Sequence, residues 1–264
     1  MSTEQKLLFL DIDGTLMDFH YVVPDSAMEA LRKVRENGCL CVINTGRPYL
    51  HVDPRIKALP LDGFICSCGM HVILHGEDLL HDSLTKEQSR LVVEAARACR
   101  MEVIYESEDA MYFDDTLPMR DYTLRSRAHF AAAGVPTDRS IEDPDFCIDK
   151  FSAWSLEDSN LSAFLETIQS FCDVVPRKNQ LYECVKKGYT KATGMDFILQ
   201  KTGILRSNCY AIGDSANDLT MLHYVPHSIA MGNADQDVKD ACEYVTTDLH
   251  DDGVYKALQH YGLF

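Results

Sequence analysis

No apolar run in this chain approaches the ~20 residues that a membrane-spanning helix needs, which excludes a helical membrane protein. Basic residues are few: 25 lysines and arginines stand against 41 aspartates and glutamates, for a formal charge of −16 at pH 7. Broad nucleic-acid binding needs a basic face, so that function class is excluded too. A small anionic ligand is not, because a local site can oppose the global field. The polar start, Met1 to Lys6, has neither a secretory nor a transit signature. Repeats and low-complexity tracts are also missing. Ten cysteines are present, yet none forms a C-x-x-C pair. Cys39 with Cys41, and Cys66 with Cys68, sit two apart, so each pair points to one face of a strand. This spacing suits no thiolate zinc site, and disulfide frameworks belong to short secreted chains. The expectation is reduced, mostly buried thiols in a cytoplasmic protein.

What remains is a chain of 264 residues, long enough for one large domain or two smaller ones. Apolar runs alternate with amphipathic stretches. "KLLFLDI" reads as a strand and "PDSAMEALRKVRENG" as a helix with Ala27, Ala30, Leu31 and Val34 on one face. "CLCVINTG" and "DGFICS" read as further strands. The pattern resumes from "SNCYAIGD" to the end. Such alternation predicts an α/β fold, a doubly wound parallel sheet covered on both sides. The middle of the chain differs: a helix, two adjacent strands, then helix, strand, helix and two more strands. This predicts a discontinuous core, 1–82 plus 186–264, with an α+β insert over 83–185.

The chemistry concentrates at predicted strand ends. "FLDIDGTL" places Asp11 and Asp13 at the tip of an apolar strand, where two carboxylates repel unless a cation or donor compensates. The run could be a plain turn, with Gly14 supplying positive φ. A calcium loop is rejected, because Met17 to Val23 contain only Asp18. "AIGDSANDLTML" then places Asp214 at the end of another strand and Asp218 at a helix start. In a parallel sheet such ends share one edge, so Asp11, Asp13 and Asp214 could surround one hard divalent cation. Asp218 fits either a metal role or a first-turn residue favoured by the helix dipole. "VINTGRP" ends a strand with Thr45, Gly46 and Arg47, a hydroxyl and exposed N–H groups suited to an anion. "KKGYTKATGM" puts Lys191 near a helix start, where the dipole disfavours a cation unless an anion partners it.

With these four segments in order, the sequence resembles the haloacid dehalogenase-like (HAD) hydrolases, specifically the Cof-like phosphatases, over nearly its whole length. "FLDIDGTL", "NTGR", Lys191 and "GDSANDLTML" match the four motifs. The tail "IAMGNADQDVKDACEYVTTDLHDDGV" is also similar to that type. The resemblance implies a Rossmann-like core and a large α/β cap. It implies that Asp11 is the nucleophile and Asp13 the general acid and then base. It also implies Mg²⁺ held by Asp11, the Asp13 main-chain oxygen and Asp214, with phosphoryl oxygens bound by Thr45, Lys191 and the Gly46 N–H. Asn217 and Asp218 would support the metal and the lysine, and Arg47 would touch the substrate, a small phosphorylated metabolite. The match departs at Cys68, where Asn is common, and at Ser215, where Gly is common. Two other functions stay in view: a phosphomutase, with Arg120, Arg125 and Arg127 gripping a second phosphate, and a non-catalytic phosphate-binding module. The oligomeric state is not legible.

Overall fold

Strand β1 (Leu7–Leu10) is four leucine and phenylalanine residues, all buried, as a strand covered on both faces requires. Helix α1 (Asp25–Glu36) follows and buries Ala27, Ala30, Leu31 and Val34, the face that its spacing predicts. The chain then forms β2 (Leu40–Asn44), a short helix α2 (Pro54–Lys57), β3 (Gly63–Cys66), and a hairpin of β4 (His71–Leu74) and β5 (Glu77–His81). The computed structural model describes residues 5–264, so Met1–Glu4 of the polar start lie outside the described residues.

The middle of the chain builds α3 (Lys86–Cys99), β6 (Glu102–Glu106), β7 (Met111–Phe113), α4 (Asp121–Ala132), β8 (Lys150–Trp154), α5 (Leu161–Ile168), β9 (Cys172–Pro176) and β10 (Leu181–Lys186). Its five strands lie in the order β7-β6-β8-β10-β9, each pair antiparallel. Val92, Ala96 and Cys99 of α3 and Phe164 and Ile168 of α5 pack with Val103, Tyr105, Phe151 and Ala153 on one sheet face. Ile104, Met111, Phe113 and Trp154 form a second cluster, against which Leu50 and Phe130 pack.

The chain ends with α6 (Lys191–Thr202), β11 (Cys209–Gly213), α7 (Leu219–Tyr224), β12 (His227–Ala230), α8 (Gln236–Asp240), β13 (Tyr244–Val245) and α9 (Gly253–His260). An eight-stranded sheet results, in the order β13-β12-β11-β1-β2-β3-β4-β5. The first six of these are parallel, and the β4–β5 hairpin extends the sheet antiparallel beyond β3. The sequence reading missed that hairpin. Connections run outward in both directions from the β1–β11 pair, which makes that pair the topological switch point. Leu7, Phe9, Val42, Ile65, Met195, Ile198 and Ala211 form the core beside α6. Glycine at 194 permits that packing: a Cβ there would meet Ile65 Cγ2 at 2.4 Å. None of the ten cysteines is in a disulfide and eight are buried. Among the described residues no helix is long and apolar enough to cross a membrane.

The chain divides into two compact units. One comprises Met1–Gly46, Val52–His81 and Thr190–Phe264; the other comprises Arg47–His51 and Asp82–Tyr189. Inside the second unit lies a buried ionic network. Lys150 Nζ donates to Glu183 Oε1 at 2.7 Å and lies 3.7 Å from Glu106, while Arg177 Nη2 donates to Glu183 Oε2 at 2.8 Å. Burial alone would raise the Glu183 carboxyl, but Lys150 and Arg177 outweigh it and hold it at about 2. Glu106, farther from the lysine, is raised by its burial. Removing one partner of a buried pair is expensive, so Glu183→Gln is expected to destabilise this unit by about 3 kcal/mol. The ionised Glu183 stabilises fully above the ordinary glutamate value of about 4.3, and that contribution fades as pH falls toward its folded value. Trp154, the single tryptophan, reports this unit. Urea unfolding followed by its fluorescence should show a gap between wild type and variant that shrinks with acid. A gap unchanged down to about pH 2.5 rules the network out as the cause.

Candidate active site

At the carboxyl ends of β1 and β11 the chain places Asp11 and Asp214, on either side of the switch point. The two strands run in register, Leu10 opposite Ile212, and the Asp11 N–H donates to the Ile212 carbonyl at 3.1 Å. Gly14 turns the chain away with φ of +85°. A Cβ there would lie 2.5 Å from Asp214 Oδ2, so only glycine admits the close approach. Thr15 Oγ1 donates to Asp214 Oδ1 at 3.1 Å and fixes that carboxylate. Asp218 follows in a tight turn and is fully buried. Its Oδ2 accepts from the N–H groups of Asp214 and Ser215 at 3.0 and 3.1 Å. The sequence left two readings of Asp218 open; the structure gives its side chain the backbone of Asp214 and a lysine as partners.

That lysine is Lys191, the first residue of α6 and 1 % exposed. Its Nζ lies 2.5 Å from Asp11 Oδ1 and 2.5 Å from Asp218 Oδ1. Thr190 caps the helix and bonds reciprocally with Thr193, which fixes where α6 begins. Burial works against the ammonium, but Asp11 and Asp218 outweigh it and keep Lys191 charged. The carboxylates fare differently. Burial and then Asp218 push Asp11 well above the usual range, with Lys191 pulling against them. Burial and then Asp218 push Asp214 up to about 7.

Asp11, Asp214 and Asp218 offer oxygens that all lie within 4.8 Å of one another. Three carboxylates around a single ammonium leave the cluster short of positive charge. All-oxygen donors and a missing double positive charge fit a hard divalent cation. The Asp13 carboxylate lies outside this triad, yet close enough to raise both Asp11 and Asp214. Thr45 is buried just past the end of β2. Its N–H donates to Ile65 O at 2.8 Å, and its carbonyl accepts from Cys68 N at 3.2 Å. Gly46 follows it. Asn217 Oδ1 accepts from Ser215 Oγ at 2.5 Å. Arg47 groups with the second unit, where its Nη1 donates to His51 O at 3.3 Å. Sequence reasoning passed over three supporting residues: Thr15; Asn233, whose Nδ2 donates to Gly14 O at 2.7 Å; and Asn44, whose Nδ2 donates to Lys191 O at 3.1 Å. Each sits inside a segment already singled out, but only the folded geometry reveals its partner.

A family model described as haloacid dehalogenase-like hydrolase matches residues 8–258. The 5-amino-6-(5-phospho-D-ribitylamino)uracil phosphatase YcsE of Bacillus subtilis (strain 168) is 25% identical over 273 residues, covering 98% of this chain and 96% of that protein. Pyridoxal phosphate phosphatase YbhA of Escherichia coli (strain K12) is 25% identical over 269 residues, covering 94% and 96%. Among solved structures, a Geobacillus kaustophilus protein superposes with a TM-score of 0.85 at 26% identity, covering 98% of this chain and 100% of that one. The HAD subclass IIB sugar phosphatase BT4131 superposes with a TM-score of 0.81, again at 26% identity and with 98% and 100% covered.

The charge imbalance has a measurable consequence. An acid whose folded pKa is raised binds its proton more tightly folded than unfolded. Ionising it therefore costs stability as pH rises from the unfolded value of about 3.9 through the folded one. In EDTA, Asp214→Asn is expected to be more stable than wild type at about pH 8, by roughly 2 kcal/mol. The advantage should vanish near pH 4. Thermal melts at both pH values test this, and a variant that melts below wild type at pH 8 in EDTA contradicts it.

Proposed function

The chain belongs to the haloacid dehalogenase-like hydrolases, in their Cof-like phosphatase branch, and from this premise we propose a Mg²⁺-dependent phosphatase for small phosphomonoesters that works through an aspartyl-phosphate on Asp11. One observation carries the reading: the Asp11 carboxylate sits at a strand end with Lys191 Nζ 2.5 Å from one of its oxygens and two further carboxylates beside it. An Asp11 oxygen attacks phosphorus in line, and the bond from phosphorus to the leaving oxygen breaks. Asp13 gives its proton to that oxygen. Asp13 then takes a proton from water, which attacks the same phosphorus and displaces Asp11 as a free carboxylate. Lys191, the Thr45 hydroxyl and the Gly46 N–H hold the phosphoryl oxygens through both steps. Mg²⁺, when bound by Asp11, Asp214 and the Asp13 main-chain oxygen, supplies the positive charge that the cluster lacks. Asp218 orients Lys191 and supports the metal site, directly or through water, and Asn217 steadies the same turn through Ser215.

The substrate is read as a small phosphorylated metabolite, such as a sugar phosphate or a phosphorylated cofactor. The relatives named for pyridoxal phosphate and for a phosphoribitylamino-uracil support that range. Residues 83–185 are read as the cap that selects the leaving group, around a core of 1–82 plus 186–264, and Arg47 as a substrate contact. Of the three arginines that a second phosphate grip would use, Arg120 is engaged with Glu102, and Arg127 with Asp115 and the Thr137 carbonyl; with Arg125 alone left to grip, a phosphomutase is disfavoured. Ten thiols in no disulfide support a cytoplasmic protein.

Purified protein with Mg²⁺ should release phosphate from p-nitrophenyl phosphate and from members of a phosphorylated-metabolite panel, and EDTA should stop it. Asp11→Asn should lower kcat by at least about 10³-fold. Turnover at near wild-type rate in that variant removes the nucleophile from Asp11. Without substrate, Mg²⁺ should raise the melting temperature of wild type, and Asp214→Asn should lose most of that gain. An equal gain in the variant argues against the ligand set.

A further inference from the structure

We propose that Asn44 is a positioning residue for phosphoryl transfer, through its grip on the root of Lys191. The claim rests on the phosphatase reading above and extends it to a residue outside the reacting groups. Asn44 is the last residue of β2 and is fully buried. Its Nδ2 donates to the Lys191 carbonyl at 3.1 Å. Its Oδ1 meets no protein donor. The protein contact that its side chain makes is therefore the one to the Lys191 carbonyl, and an apolar residue of similar size would take that donor away while filling the same space.

That bond ties together the two ends of the phosphate-binding set. Asn44 is joined covalently to Thr45, whose N–H and carbonyl are already fixed by Ile65 and Cys68. Lys191 carries its ammonium on a flexible stem, and both of its ionic contacts depend on where that stem begins. The Thr190 cap fixes the start of α6 along its own axis. The Asn44 amide fixes it laterally, against the end of β2. Without the amide, Lys191 keeps its charge and its helix but is free to shift relative to Thr45. Misplacement by about 1 Å is enough to cost up to about 10²-fold in rate.

The test uses Asn44→Leu, which keeps the size and removes the donor, with Asn44→Ala as a second variant should the first misfold. The expected result is a kcat lowered by about 10- to 100-fold. The factor should be the same for every ester tested, because the phosphoryl group and not the leaving group is affected. KM should stay within about threefold. A merely structural residue would lower the melting temperature and leave kcat of the folded fraction unchanged, and that outcome overturns the proposal. So does a kcat loss that differs widely between leaving groups. Should wild type hydrolyse no ester, the phosphatase reading fails and a crystal structure of Asn44→Leu decides the positioning claim alone. Nζ displaced from Asp11 upholds it, and Nζ still in contact with both Asp11 and Asp218 overturns it.

Discussion

The ammonium of Lys191, buried between Asp11 and Asp218, is the contact on which the rest of the first unit is arranged. An isolated charge in an apolar interior costs several kcal/mol, so a lysine at 1 % exposure needs its anions in place before it can stay. Those anions come from distant parts of the chain: Asp11 follows the first strand, and Asp218 lies 27 residues beyond the lysine. Only the parallel pairing of β1 with β11 brings them together. The lysine itself can reach them only because α6 lies close on the sheet, which glycine at 194 allows. Fold and site are in this sense one constraint: moving any of the three segments strands a buried charge.

The same contact leaves the cluster unbalanced, and the imbalance is where function is stored. Asp218 spends one oxygen on Lys191 and the other on the backbone of Asp214 and Ser215. Lys191 touches Asp11 and Asp218 but does not offset the burial of the cluster: the Asp11 carboxyl stays well above the usual range, and that of Asp214 is up at about 7. A protein selected for stability alone would place an asparagine there. An aspartate there costs stability, as functional sites commonly do, and it completes an acidic triad whose oxygens suit a cation.

Much of this was legible in the sequence, for a definite reason. Strand-end carboxylates, a hydroxyl beside glycine and a lysine at a helix start are local violations of burial and dipole rules. Such violations survive only where a partner compensates. Asp11, Asp214, Thr45 and Lys191 could therefore be singled out without coordinates. The partner of each violation is set by tertiary structure, so only the resemblance, and not the residues themselves, could suggest it. Asp218 fitted either a metal role or a helix-start residue from its position, and only the resemblance pointed to the lysine, because its bonds to Lys191 and to the backbone of Asp214 form only in the fold. Asn44 and Asn233 looked like filler between motif residues for the same reason. The β4–β5 hairpin was hidden because nothing after "DGFICS" announces a reversal, whereas Ser67, Cys68 and Gly69 all take positive φ and send the chain back along β3. Arg47–His51 follow Thr45 and Gly46 directly in sequence, yet group with the second unit, where His51 stacks on Phe130 at 4.9 Å.

The two buried ionic networks show how charge balance separates structure from function. In the second unit, Lys150 and Arg177 converge on Glu183, whose carboxyl falls to about 2 and so stabilises the folded state. Only Glu106, which comes second in the competition for Lys150, is pushed up by its burial, and Ser152 Oγ donates to it. Two cations meet two carboxylates, and nothing more is needed. Around Lys191, one cation meets three carboxylates. Both sets are buried, and both contain short charge-assisted bonds, so burial and bond length do not distinguish them. The ratio of charges does: in the second unit Glu183, the carboxyl that both cations reach, falls, whereas around Lys191 both Asp11 and Asp214 rise. The first unit thus lacks counter-charge of a kind that a bound cation would supply, and the second supplies its own.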